Sequence, residues 1–133
     1  MPITYTQSNK LLDYNFGATT YTLPAKYWIA LSTTTIQNDG TGCTEPTGNG
    51  YARVGIDNNK TTFSVAQNGI LKNNIQVQFP ESTGSWGTVT YIAIFDSETD
   101  GNLLYYDSLA ESRTIETQTT LMFMPDTITM QLT

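Results

Sequence analysis

Carboxylates are the side chains in this sequence best able to do chemistry, because there is no histidine to act as general base, proton shuttle or metal ligand. Glu45, Asp57, Glu81, Asp96, Glu98, Asp100, Asp107 and Glu111 could supply a glycosidase-type pair, but that chemistry needs two carboxyl groups facing each other across a cleft. Their spacing does not show such a pair, and no catalytic residue is assigned. The most regular grouping is Asp96, Glu98, Asp100, Gly101 and then Asp107. It echoes a Ca²⁺ loop, with oxygens at alternating positions, a glycine for the sharp turn and a closing carboxylate. Flanking helices are missing, Asp stands where a bidentate Glu is usual, and an Asp-Gly hairpin turn accounts for the same residues. A structural turn is therefore expected, with no metal or cofactor. Cys43, in T-G-C-T, has no histidine to activate it and reads as a small loop residue. Trp28 and Trp86 could stack on sugar rings. Trp28 is expected in the core, whereas Trp86, beside turn glycines, is grouped with Cys43 and Glu45 as a possible surface contact. Asn59, Lys60 and Thr61 form a glycosylation sequon for which chance is the default reading.

The elements that must position these residues are mostly strands. Ser8 to Phe16 predicts a short helix, with Ser8 as its cap and Gly17 at its end, so that residues 1–17 form an N-terminal arm and 18–133 one β domain. Lys26 to Thr33 places Tyr27, Ile29 and Leu31 on one face and Trp28 and Ala30 on the other, as in a central strand covered on both sides. Gln37 to Asn49, with three glycines and a proline, predicts a long surface loop. Strands are expected at Tyr51 to Ile56, Thr62 to Ala66, Asn73 to Phe79, Thr88 to Asp96 and Asn102 to Asp107. Three shorter ones follow at Arg113 to Thr117, Thr119 to Phe123 and Thr127 to Leu132. Many short strands at this spacing predict an all-β, single-domain antiparallel β-sandwich of jelly-roll type.

Composition supports that class and narrows the partners. With 133 residues, 38% hydrophobic and only 14% charged, the chain is long enough for one packed core and is solvated mainly by uncharged polar groups. A net charge of −6, with the six basic residues scattered singly, offers no patch for phosphates or anionic lipid, so neither nucleic acid nor membrane is an expected partner. No apolar run approaches the roughly 20 residues of a membrane span, and Met1 to Lys10 lacks the pattern of a secretory signal. One cysteine excludes an internal disulfide, so stability must come from packing or from other chains, and synthesis inside a cell is expected.

The order of motifs carries a further implication. An N-terminal L-L-D is followed by W-I-A-L-S-T-T, G-N-G-Y-A-R, F-P-E-S-T-G-S-W-G-T-V-T, I-F-D and D-G-N-L-L-Y. From Leu11 onward, notably at Leu31 to Thr34, Gly50 to Arg53, Phe79 to Thr90 and Phe95 to Leu104, the chain resembles a family of small phage and prophage proteins described as tail-fibre or head-decoration proteins. Asp100 departs from the pattern, standing where the family often has a second glycine. The resemblance implies a non-enzymatic virion structural protein made in the cytoplasm of a host bacterium. The leading expectation is a capsid decoration or head-fibre protein that binds the major capsid protein, or another virion protein, as an oligomer, in all expectation a trimer. The alternative is a tail-fibre or baseplate component contacting the host surface, with a carbohydrate-binding module third.

Overall fold

A computed structural model describes residues 1–132. It is an antiparallel β structure with a helix, α1 (Tyr5–Asn15), near its N-terminus. The strands are β1 (Lys26–Ser32), β2 (Val54–Asp57), β3 (Ile70–Lys72), β4 (Val77–Gln78), β5 (Gly87–Phe95), β6 (Leu103–Ile115), β7 (Met122–Phe123) and β8 (Thr129–Gln131). One sheet has the order β2-β1-β5-β6, and two ribbons, β3-β8 and β4-β7, form separate pairs. The all-β antiparallel class holds, but beside the four-stranded sheet the described residues form two short ribbons and not the second continuous sheet of a jelly roll.

The alternation read from β1 and β5 decides how the layers stack. Ile29, Leu31, Val89, Ile92 and Ile94 point to one side, where they pack with Phe63, Val77, Phe79, Trp86 and Ile128 in the principal core. Ala30 and Ala93 point to the other side and meet Ile36, Phe95 and Leu103 in a second, smaller cluster. Both strands are therefore interior and covered on two faces, as their near-continuous apolar runs require. Trp28 is half-buried against the second cluster rather than in the principal core. Its ring lies so close to the neighbouring strand that a Cβ on Gly55 would approach it to 2.9 Å, which explains the glycine in β2.

The helix begins earlier than its sequence signal. Thr4, not Ser8, is the N-cap, accepting from the Gln7 N–H at 3.4 Å, and the helix stops at Asn15. Thr4 is preferred because it is fully buried and also donates to the Leu103 carbonyl at 2.8 Å, so the cap is locked by a tertiary bond. Residues ahead of it are zipped onto β6: Ile3 bridges to Tyr105, the Tyr106 N–H donates to the Pro2 carbonyl at 3.1 Å, and the N-terminal ammonium lies 3.9 Å from Asp107.

Other boundaries also move. Thr62 to Ala66 is not a strand: a turn ends at Thr62, Phe63 makes a single bridge to Asn73, and Ser64 to Ala66 are irregular. The expected Tyr51 to Ile56 strand narrows to β2, and the Asn73 to Phe79 strand to β4. The inward set Ile75, Val77 and Phe79 holds, but Asn73 is buried too, and its side chain replaces ladder hydrogen bonds. Its amide donates to the carbonyls of Ile75 (2.8 Å) and Met124 (3.1 Å), and its oxygen accepts from the Ile128 N–H (2.9 Å). The strands expected at Asn102 to Asp107 and Arg113 to Thr117 are one element, β6. They look separate because the register against β5 slips between the pairs Tyr91–Ser108 and Val89–Arg113, interrupting the period of two. The ribbon strand β3 carries too few residues to show a period.

Candidate functional site

The densest polar constellation among the described residues is built on the glycine-rich loop. After β1 the chain folds back on itself: the Thr33 N–H donates to the Thr44 carbonyl at 2.9 Å, and the Gln37 N–H to the Thr41 carbonyl at 2.8 Å. Gly42 makes this possible, since it has φ +90° and a Cβ there would sit 2.2 Å from the Thr35 carbonyl oxygen. The fold-back buries Ile36, packs Cys43 against the second cluster and brings Glu45 to Arg53.

Glu45 meets Arg53 in a two-pronged ion pair, with Nε to Oε1 at 3.0 Å and Nη2 to Oε2 at 2.8 Å. The guanidinium also donates from Nη1 to the carbonyls of Ser97 (2.8 Å) and Asp100 (2.9 Å), and it lies 3.6 Å from the centroid of the Phe95 ring. Tyr51 completes the group, donating its hydroxyl to Glu45 Oε1 at 2.7 Å and accepting from the Leu31 N–H at 3.1 Å. Burial alone would raise the Glu45 pKa, but the hydrogen bonds from Arg53 and Tyr51 outweigh it and hold the carboxyl below its ordinary value. Burial, followed by the contact with Glu45, pushes the Tyr51 phenol well above its ordinary value. Burial would lower the pKa of Arg53, but Glu45 reverses this and raises it. With Arg53 only 7% exposed, the group fastens the loop to the β5–β6 turn and offers its bonding capacity inward.

The residues singled out from the sequence have clear places. Trp86 corrects an expectation: it is 4% exposed, its indole N–H donates to the Asn49 carbonyl at 2.8 Å, and Tyr51 meets its ring edge-on at 5.3 Å. The turn glycines let the chain bend so that the ring enters the core, and it cannot serve as an exposed platform. Cys43 and Glu45 are half-buried, Cys43 against the second cluster and Glu45 in its bonds to Arg53 and Tyr51. Burial, then the charge of Glu45, raises the Cys43 thiol pKa, which disfavours a reactive thiolate.

The Ca²⁺-like residues are not brought together. Asp96 bonds within the turn, accepting from the Asn102 N–H at 2.8 Å and the Asn102 side-chain amide at 3.1 Å. Asp107 lies further along β6, opposite Ile92. No group of three or more His, Cys, Asp or Glu side chains among the described residues is arranged to hold a metal ion. Sequence reasoning missed Tyr51 and Arg53 as partners of Glu45; a lone arginine between two apolar strands, flanked by an aromatic, was the available signal.

The surface formed by the described residues also carries open clefts. One, of about 520 Å³, lies between the main sheet and the β3-β8 ribbon, with Tyr27, Phe63, Leu71, Ile94, Tyr105 and Met130 among its lining. Burial pushes the Tyr27 phenol up to about 12, with Tyr105 and Tyr21 adding to the shift. Another, of about 470 Å³, runs beside the irregular part of β6 near Leu109, Leu121 and Phe123. Apolar side chains also protrude at the N-terminal end: Tyr5, Leu12, Tyr14 and Leu23 are each more than half exposed, and Phe16 is 82% exposed. No helix among the described residues is long and apolar enough to cross a membrane.

A family model described as the podophage GP4 fiber I protein gp80 matches residues 2–131. The chain belongs to that family of phage fibre proteins. The match spans the helix, all eight strands and the Glu45–Arg53 group, so it concerns the whole fold. A comparison with curated proteins returns no match. Membership agrees with the phage-virion resemblance drawn from the W-I-A-L-S-T-T, G-Y-A-R and W-G-T-V-T segments, and it makes association with other virion proteins the context for the surfaces above.

Proposed function

We propose that this protein is a non-enzymatic structural subunit of a phage fibre, acting as a homo-oligomer, in the simplest case a trimer, that attaches to other virion proteins. The observation that carries this reading is the fibre-family match over residues 2–131. Two structural features support it. The strongest ionic group, Glu45 with Arg53, is committed to holding a loop in place, while apolar side chains such as Phe16 and Leu12 are left outside. That distribution suits a subunit completed by neighbours better than a self-sufficient monomer.

Two placements are open to such a virion protein, a capsid decoration or head-fibre protein and a tail-fibre or baseplate component; the fibre description supports a fibre, on the head or on the tail, over a cement layer on the capsid shell. The test is the copy number in purified particles, measured by quantitative mass spectrometry against the major capsid protein. A small copy number relative to the capsid protein is expected. A ratio near parity, or a simple fraction of it, would overturn the fibre placement in favour of shell decoration, and absence from the particle would overturn the virion role.

A further inference from the structure

The protruding end of α1 and the cleft above β3-β8 are complementary. Tyr5, Leu12 and Phe16 are spaced by seven and four residues, so they line one outer stripe of the helix and its immediate continuation. Gln7 is the buried residue of α1, and Tyr14 is turned towards Tyr21, with ring centroids 6.1 Å apart. The outer stripe is thus an apolar part of the helix that its own chain leaves uncovered.

The cleft is the reciprocal feature: an apolar hollow with a floor of Tyr27, Phe63, Leu71, Ile94 and Tyr105. Its volume is in the range that accommodates a drug-sized ligand, enough for a leucine and an aromatic ring together. The rims also match in charge. Asp13, exposed beside Leu12, is the only acidic residue of α1, and Lys60 stands at the mouth of the cleft, where its ammonium donates to the Ser64 carbonyl at 2.8 Å and retains further donors.

Resting on the oligomeric reading above, we propose that the Leu12–Phe16 end of α1 inserts into the Tyr27–Tyr105 cleft of a second copy of this chain. The contact joins two different patches, so repeating it from copy to copy generates a ring when the rotation closes. Each subunit then donates one knob and receives another, so that Leu12, Phe16 and the lining of this cleft are covered by the same contact.

Cysteine pairing tests this arrangement. Phe16→Cys is combined with Ala66→Cys, at an exposed position lining the cleft, in a Cys43→Ser background, and the purified protein is oxidised at low concentration. A control replaces Ala66→Cys with Glu111→Cys, on the exposed irregular stretch of β6. The expected result is covalent dimers and higher species on non-reducing gels for the first pair and not for the control. Light scattering on the unmodified protein accompanies the gels. An oligomer that yields only monomer-sized bands overturns the knob-in-cleft contact while leaving the oligomeric reading intact; a monomer overturns both. Phe16→Asp gives an independent reading, because an 82% exposed side chain contributes little to the monomer's own packing. Self-association should weaken by about tenfold or more with an unchanged circular dichroism spectrum, and undiminished association would overturn the proposal.

Discussion

Replacing Arg53 with alanine tests the reading of the Glu45 group as an internal fastening. The guanidinium makes two bonds to Glu45 and two to backbone carbonyls, and it covers Phe95 at 3.6 Å. Its removal leaves the Glu45 carboxylate without its cation and the Ser97 and Asp100 carbonyls without this donor. Breaking a buried ion pair from one side costs about 3–5 kcal/mol. Glu45 is 24% exposed and regains some hydration, which places the loss at the lower end, about 3 kcal/mol. For a chain of this length that corresponds to a fall in Tm of roughly 10 °C. Arg53→Lys keeps the charge but loses the fork and the flat stacking surface, so it should recover less than half of the loss, to within about 2 kcal/mol of the parent protein. The assay is urea unfolding of the single variants and of the Glu45→Ala/Arg53→Ala double variant. Single losses that add within about 0.5 kcal/mol would show no coupling between the residues. Such additivity, or an Arg53→Ala loss under about 1 kcal/mol, the scale of an ordinary surface ion pair, would refute the reasoning.

Three further outcomes follow from the same geometry. Asn73→Ala should cost about 3 kcal/mol in urea unfolding, because two carbonyls and the Ile128 N–H lose their partner inside the protein; a loss below about 1 kcal/mol would mean that these groups find other partners. Because the Glu45 pKa is lowered by folding, its contribution is fully present above the unfolded carboxylate value near about 4.3 and disappears as pH falls through the lower folded value. Glu45→Gln should therefore show a shallower loss of stability below about pH 4 than the parent, measured as Tm against pH, and parallel curves would contradict the assignment. Cys43, with its thiol pKa raised chiefly by burial, should react with iodoacetamide at pH 8 more slowly in the folded protein than in urea; equal rates would show that the loop does not shield it.

The parts of this fold legible in the sequence are those where one chemical property repeats. In β1 and β5 the alternation is long enough to reveal both faces, and the same residues separate into the two apolar clusters. The parts that were not legible depend on contacts between distant segments. Thr4 outcompetes Ser8 as a cap because Leu103 lies beside it, and β3 exists because β8 supplies its partner. The candidate site follows the same division. Glu45 drew attention as a loop acid, but its role is set by Arg53, eight residues away, and by carbonyls more than forty residues away. Trp86 was ambiguous for a related reason: adjacent glycines signal a turn without saying whether the turn throws the ring outward or folds it under Tyr51.

The distribution of polar and apolar groups links this architecture to a fibre subunit. A protein with few charges has few means of keeping a glycine-rich loop ordered, and here the best hydrogen-bonding cation, Arg53, is committed to that loop and to the β5–β6 turn. Ordering the loop closes the second cluster over Ala30, Ala93 and Phe95, so these residues on one face of the main sheet are covered within the monomer. The opposite face is sealed less completely, because two short ribbons leave open the cleft above Tyr27 and Tyr105. The exposed hydrophobes of the N-terminal region, Phe16 foremost, supply surface of the kind that would fill such an opening. The contact proposed above would bury the Phe16 end of α1 and fill the cleft above Tyr27 and Tyr105 at once, and a contact between two different patches of identical subunits is one that can be repeated from copy to copy, as a fibre requires.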